Sequence, residues 1–279
     1  MEMHGAQPLS PWHMVRSGLQ NRQLILQLTK REISSRYRGS VMGVAWSFIN
    51  PLLLLTIYTF VFSSVFKARW AAGAVDPSES KVDFALILFA GLIIHGFCAE
   101  CINTAPKLIL SNVNYVKKVV FPIEVLTITS TLNALFHFGV SLSVLLATQL
   151  FFNHSIPMTA LYFPLVILPL VLMMTGISWL LAALGTYIRD IGQITGMAVT
   201  ALLFLSPVFY PISALPEEYQ GWLYINPLTA IIENGRATLL FGHTPDWHSM
   251  AISFGIGVAV CIIGYAFFQK TRAGFADVL

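Results

Sequence analysis

The sequence predicts an all-α polytopic membrane protein, with six transmembrane helices, an amino-terminal amphipathic interface helix and an outer re-entrant helical hairpin. Three observations carry that prediction. Of the 279 residues 56% are hydrophobic and only 10% are charged, where soluble domains run near about 25% charged. Apolar stretches recur at lengths close to the ~20 residues that a helix needs to cross a bilayer. The basic residues gather in alternate loops, as the positive-inside rule requires. A mean hydropathy of +0.72 with 13% aromatics excludes a disordered chain, which has too little apolar surface to bury.

Stretches without Asp, Glu, Lys or Arg run from Gly39 to Phe66, Val125 to Ile188, Ile191 to Pro216 and Trp247 to Gln269. The second is long enough for two helices and divides at Asn153-His154-Ser155-Ile156-Pro157, a cluster of turn formers. A further span, Phe84 to Thr104, is interrupted only by Glu100. With the amino terminus inside, the inner segments hold Arg16, Arg22, Lys30, Arg31, Arg36, Arg38, Lys107, Lys117, Lys118, Arg189, Lys270 and Arg272. Lys67, Arg69, Lys81 and Arg236 remain outside. Both termini are therefore expected in the cytoplasm, and the chain reads as one transmembrane domain over 1–279. Residues 1–38 form its inner amino terminus, 39–270 the six spans and 271–279 the tail. The first 38 residues lack the roughly 7–15-residue apolar core of a cleavable signal, so the first span is expected to serve as its own signal.

From Ser17 to Arg36, Leu19, Leu24, Ile25, Leu28 and Ile33 recur near helical spacing between charged residues. That pattern reads as a helix in the inner membrane interface, or as a cytoplasmic helix packed on the rest of the protein. Gly39/Gly43 and Gly192/Gly196 are small-xxx-small pairs that would permit close helix approach. Pro211 to Gly242 is too short to cross the membrane and too apolar for a free loop. Asn226 reads as the N-cap and Pro227 as the first residue of a helix, with Gly242 as its stop. The segment is expected to dip back into the outer leaflet, Glu233 pairing with Arg236 three residues on. Glu100 must be paired, protonated or facing water, because an unpaired carboxylate at membrane depth costs at least ~2.5 kcal/mol; with Lys107 two helical turns on, a structural pair or a snorkelling position is expected ahead of a transport role. His95 and His137 read as hydrogen-bonded core residues, and Cys98, Cys101 and Cys261 as small buried hydrophobes. Kinks are expected at Pro51, Pro164, Pro169 and Pro207.

No metal cluster, hydrolase triad or dinucleotide loop stands in the sequence. The nearest phosphate-loop look-alike, Gly264 to Thr271, has Gln269 in place of the required second glycine. No acidic or histidine relay crosses several spans, as an ion-coupled pump would need. The energy source is expected in another chain, and no nucleic-acid partner is expected.

The order of the amphipathic helix, then Arg36-Tyr37-Arg38-Gly39-Ser40-Val41-Met42-Gly43-Val44-Ala45-Trp46-Ser47 and Asn50-Pro51-Leu52, resembles the permease subunit of bacterial ABC-2 type polysaccharide exporters. That family exports O-antigen, capsule and teichoic acid chains. Val119-Val120-Phe121-Pro122, Tyr187-Ile188-Arg189-Asp190-Ile191-Gly192 and Asn226-Pro227-Leu228-Thr229 extend the resemblance over nearly the whole chain. It implies a homodimeric channel in the bacterial inner membrane, working with two copies of a cytoplasmic ABC ATPase that binds ATP and Mg. No cofactor belongs to this chain, which is not expected to be an enzyme, and the implied cargo is a lipid-linked polysaccharide.

On that resemblance Arg36, Tyr37 and Arg38 shape the inner gate, with the guanidinium groups on the lipid phosphate. Trp46, Phe48, Tyr58 and Phe60 are the candidate channel aromatics. Asn112, Tyr115, Lys117, Lys118, Arg189 and Asp190 are the candidate ATPase contacts. Asn226, Pro227, Glu233 and Arg236 form the outer gate. Two other functions fit the residues less well. One is an ABC-2 exporter of a lipid or small drug; the other is an intramembrane glycan or lipid transferase, which requires Glu100, His95 and His137 to converge on one cavity.

Overall fold

The computed structural model describes residues 11–61, 81–117 and 121–279, and within them every regular element is helical. In chain order these are α1 (Pro11–Gln20), α2 (Arg22–Arg36), α3 (Trp46–Tyr58), α4 (Lys81–Thr104), α5 (Val113–Lys117) and α6 (Glu124–Asn153). There follow α7 (Phe163–Tyr187), α8 (Ile191–Phe204), α9 (Glu217–Leu223), α10 (Pro227–Leu239), α11 (Trp247–Thr271) and α12 (Phe275–Val278). Among the described residues five helical stretches are long and apolar enough to cross a membrane: Gly43–Val61, Val82–Lys107, Glu124–Asn153, Met158–Tyr187 and Trp247–Val278. The chain is a multi-pass membrane protein.

Local chemistry accounts for the breaks. The turn between α6 and α7 falls where the sequence puts it, with His154 in the left-handed region at φ 55° and Pro157 extended. Pro51 and Pro169 lie inside α3 and α7. Pro164, expected to kink a helix, sits instead in the first turn of α7, where its missing N–H is not needed. Pro207 likewise follows a helix end rather than a kink. α8 stops at Phe204 after 14 residues, which span about 21 Å at the helical rise of roughly 1.5 Å per residue. The apolar stretch predicted through Pro216 therefore finishes in irregular backbone and a short 3₁₀ turn, Ile212–Ala214.

The two glycine pairs singled out from sequence do not pack helices within the described chain. A Cβ on Gly39, Gly43 or Gly196 would meet no atom within 4 Å, and Gly39 and Gly43 serve the turn into α3 with φ of 85° and 54°. Close approach occurs instead between α7 and α11. Side chains on Gly176, Gly257 or Gly264 would collide with the facing backbone at Cys261, Pro169 and Gly176. The amphipathic stretch is two helices, not one, broken at Asn21. Ile25 and Leu28 are buried in a core formed with Leu126, Trp179 and Phe268, so this protein itself covers that face, while Leu19 is 65% exposed. Cys98, Cys101 and Cys261 are buried free thiols.

Candidate functional site

At one end of the bundle α2 finishes on Arg36 and hands Tyr37 to the turn before α3. Arg36 Nη2 pairs with Glu100 Oε1 on α4. Tyr37 Oη lies 3.3 Å from His137 Nδ1 on α6, the rings meeting edge to face at 5.9 Å. The candidate Glu100 partner, Lys107, is displaced because α4 ends at Thr104. The 3₁₀ turn Ala105–Lys107 then carries Lys107 beside Gly192 of α8. Glu32, one turn before Arg36, has its carboxyl raised above the usual value by burial, with Arg36 opposing and Glu100 adding to the shift.

These groups border a cavity of about 650 Å³ whose polar lining includes Arg36, Tyr37, Asn50, His95, Glu100 and His137. Glu100, His95 and His137 thus do converge, as the transferase alternative requires. His95, however, is committed: its Nε2 donates to the Val199 carbonyl of α8 at 3.1 Å, fixing that tautomer. Arg38 is exposed on the turn and does not line the cavity. Of the four channel aromatics, Trp46 and Tyr58 line it. Phe48 faces a separate apolar hollow with Leu52 and Phe152, and Phe60 is 63% exposed in neither.

Among the described candidate ATPase contacts, Asn112, Tyr115 and Lys117 lie on or beside α5, and Arg189 and Asp190 lie between α7 and α8. The turn at Ala105–Lys107 packs so tightly on α7 that a Cβ on Gly185 would strike the Pro106 backbone. Arg189 and Asp190, in the α7–α8 connection, are exposed. Tyr115 stacks on Phe121 at 4.5 Å and lies under the Arg31 guanidinium at 5.9 Å; Lys117 is exposed. Asn112 donates to the Leu108 carbonyl at 2.9 Å. Lys118, Val119 and Val120 lie outside the described residues.

At the other end α10 begins as the sequence predicts. Asn226 Oδ1 accepts from Leu228 N at 3.0 Å, Pro227 is the first helical residue, and Gly242 at φ 71° ends the segment. The Asn226 amide also donates to Ser206 Oγ at 2.9 Å, tying α10 to the end of α8. Glu233 and Arg236 pair at 3.1 Å, but that contact is the lesser part of the arginine's environment. The guanidinium is fully buried and donates to Ile87 O at 3.0 Å, Pro207 O at 2.6 Å and Val208 O at 2.8 Å. Gly91 gives it room: a Cβ there would lie 2.7 Å from Nη2.

One cluster escaped the sequence reading. Glu124 at the start of α6 forms a buried ion pair with Arg272 beyond α11 at 3.0 Å, and accepts from Ser17 of α1 at 3.0 Å. The available signal was that both charges border apolar runs.

A family model described as "ABC-2 type transporter" matches residues 23–240. The chain is 24% identical to the "O-antigen export system permease protein RfbA" of Klebsiella pneumoniae, over 92% of this chain and 95% of that protein. It is 25% identical to the protein of the same name from Myxococcus xanthus, over 95% and 98%. It is 21% identical to the "Polysialic acid transport protein KpsM" of Escherichia coli, over 92% and 96%.

Proposed function

This chain belongs to the ABC-2 type transporter family, and from that premise we infer that it is the membrane subunit of an ATP-driven exporter of lipid-linked polysaccharide. The observation that carries the reading is the match to O-antigen export and polysialic acid transport permeases over nearly the full length of both partners. The geometry supports it: a cavity mixing aromatic faces with hydroxyl, amide and charged groups suits a phosphorylated glycan end. ATP and Mg bind to two copies of a separate ABC ATPase, seated on α5 and the Arg189–Asp190 turn. Two copies of this chain in a bacterial inner membrane, with both termini cytoplasmic, enclose the path.

In this reading α8 is a sixth passage. Its helix is too short to span alone, and the backbone from Leu205 to Pro211 completes the distance. Non-helical backbone at membrane depth persists only where protein satisfies it; Arg236 does so for Pro207 and Val208. α9 and α10 form the re-entrant hairpin, sealing the outer end until the ATPase closes. Arg36 receives the lipid phosphate, and Trp46 and Tyr58, which line the cavity, face the glycan.

Deleting the gene tests the reading. Lipid-linked polymer accumulates inside the cell, and the wild-type chain restores export. Undiminished surface polymer in the deletion strain overturns it. The convergence of Glu100 and His137 on one cavity favours a second reading as a transferase, which requires turnover of a lipid-linked glycan by the purified chain without any ATPase.

A further inference from the structure

The Arg36–Glu100 pair stands at the border of the cavity, yet it is not built as a structural staple. The two side chains keep 43% and 22% of their exposure, so the pair is open to the cavity rather than sealed inside protein. Glu124–Arg272, at 3% and 4%, shows how this protein builds a buried one. A third charge bears on the same guanidinium: Glu32 acts on it from the preceding helical turn. Beside Arg36, His137 Nε2 is buried, lines the cavity and has no hydrogen-bond partner among the described residues.

We propose that Glu100 is an internal stand-in for an anion, and that the cavity takes the phosphate or diphosphate end of a lipid-linked cargo by exchanging it for Glu100 on Arg36. The proposal rests on the exporter reading above and assigns Glu100 a part in it. A planar guanidinium offers paired donors to a carboxylate or a phosphate, and a phosphate brings more charge and more acceptor oxygens. The Glu100 carboxylate, already partly in water, turns outward as the phosphate arrives. His137 Nε2, free of any other partner, becomes available to a second phosphate oxygen. An uncharged sugar cannot displace Glu100, so the site distinguishes the phosphorylated end of a chain from its interior. Once that end has moved on, Glu100 re-pairs with Arg36 and leaves no bare cation to hold the glycan that follows.

The test is binding of farnesyl diphosphate to the full chain co-purified with its ATPase in phosphatidylcholine nanodiscs. Farnesol and inorganic diphosphate serve as separate arms. Glu100→Gln removes the competitor, and the dissociation constant for farnesyl diphosphate falls roughly five-fold, the scale of coupling across a half-exposed ion pair. Arg36→Gln weakens binding at least ten-fold, and the double variant binds as weakly as Arg36→Gln alone. Farnesol binding is the same in all of them. If inorganic diphosphate shows the same pattern, the site reads the phosphate group itself; if it does not bind, the prenyl tail is also required.

Unchanged or weakened binding in Glu100→Gln overturns the exchange, since a residue that merely positions Arg36 would weaken binding when neutralised. Should the neutral variants not assemble with the ATPase, Arg36→Lys decides. It keeps the charge but loses the paired donors, so binding weakens several-fold; equal affinity overturns the proposal. Export in the complemented deletion strain reports on the glycan reading separately. Restored export with unaltered Glu100→Gln affinity sinks the exchange alone, and absent export with the affinity change intact sinks the glycan reading alone.

Discussion

Replacing Arg236 with methionine, which keeps the length and apolar stem but removes every donor, measures how far one side chain supports the non-helical backbone after α8. The Ile87 carbonyl lies inside α4 and retains its helical donor, so its loss is small. Pro207 and Val208 stand outside regular helix, and each forfeits a short bond from a charged donor. An orphaned buried carbonyl costs ~1–3 kcal/mol, giving about 2–6 kcal/mol for the two. Removing a desolvated cation returns part of that, and a net loss of roughly 2–4 kcal/mol remains. Glu233 keeps 40% of its exposure, so Glu233→Ala costs under about 1 kcal/mol, as for other solvated pairs. Equilibrium unfolding in mixed micelles reads both values. Equal destabilisation by the two variants, or a loss below about 0.5 kcal/mol for Arg236→Met, would falsify the view that the arginine acts mainly on the carbonyls.

Other expectations follow from packing, charge and docking. Gly176→Val destabilises by at least ~2 kcal/mol because its side chain meets the α11 backbone, whereas Gly196→Ala faces open space and changes melting little; similar melting of both variants contradicts the α7–α11 contact. Burial raises the Glu32 carboxyl above its ordinary value of 4.5, so the folded chain binds protons there more readily than the unfolded one. That site therefore stabilises increasingly as pH falls from the raised value towards 4.5. Glu32→Gln flattens this part of the melting profile, and an unchanged slope refutes the assignment. Tyr115→Asp, by breaking the stack on Phe121, leaves ATP hydrolysis but uncouples it from export; intact export at wild-type expression removes α5 from the coupling path.

The long helices were legible because each is a local property: an apolar run either is or is not long enough to cross lipid. The cap of α10 and the turn at His154 were legible for the same reason, since capping and turn chemistry act over a few residues. Tertiary partners were not. Glu100 pairs with a residue 64 positions upstream, and Glu124 with one 148 positions downstream. Nothing in the spacing selects those partners over Lys107. Small-residue pairs show that helices can approach but not which do so, and the glycines that pack tightly are Gly176, Gly257 and Gly264 instead. For Arg236 the charge of Glu233 was visible in sequence, whereas the carbonyls it chiefly serves carry no sequence signature.

The cluster of Ser17, Glu124 and Arg272 bears on the order in which the protein is finished during synthesis. Glu124 is made early and waits 148 residues for the guanidinium that compensates it. Until residue 272 emerges, burying that carboxylate is opposed by its desolvation, and Ser17 has no neutralised partner to dock against. α1 and α2 therefore settle after the spans they cover, and with α2 comes Arg36. The cavity that Arg36 and Glu100 border is therefore expected to complete late, and a chain truncated before residue 272 is expected to leave α1 and α2 undocked.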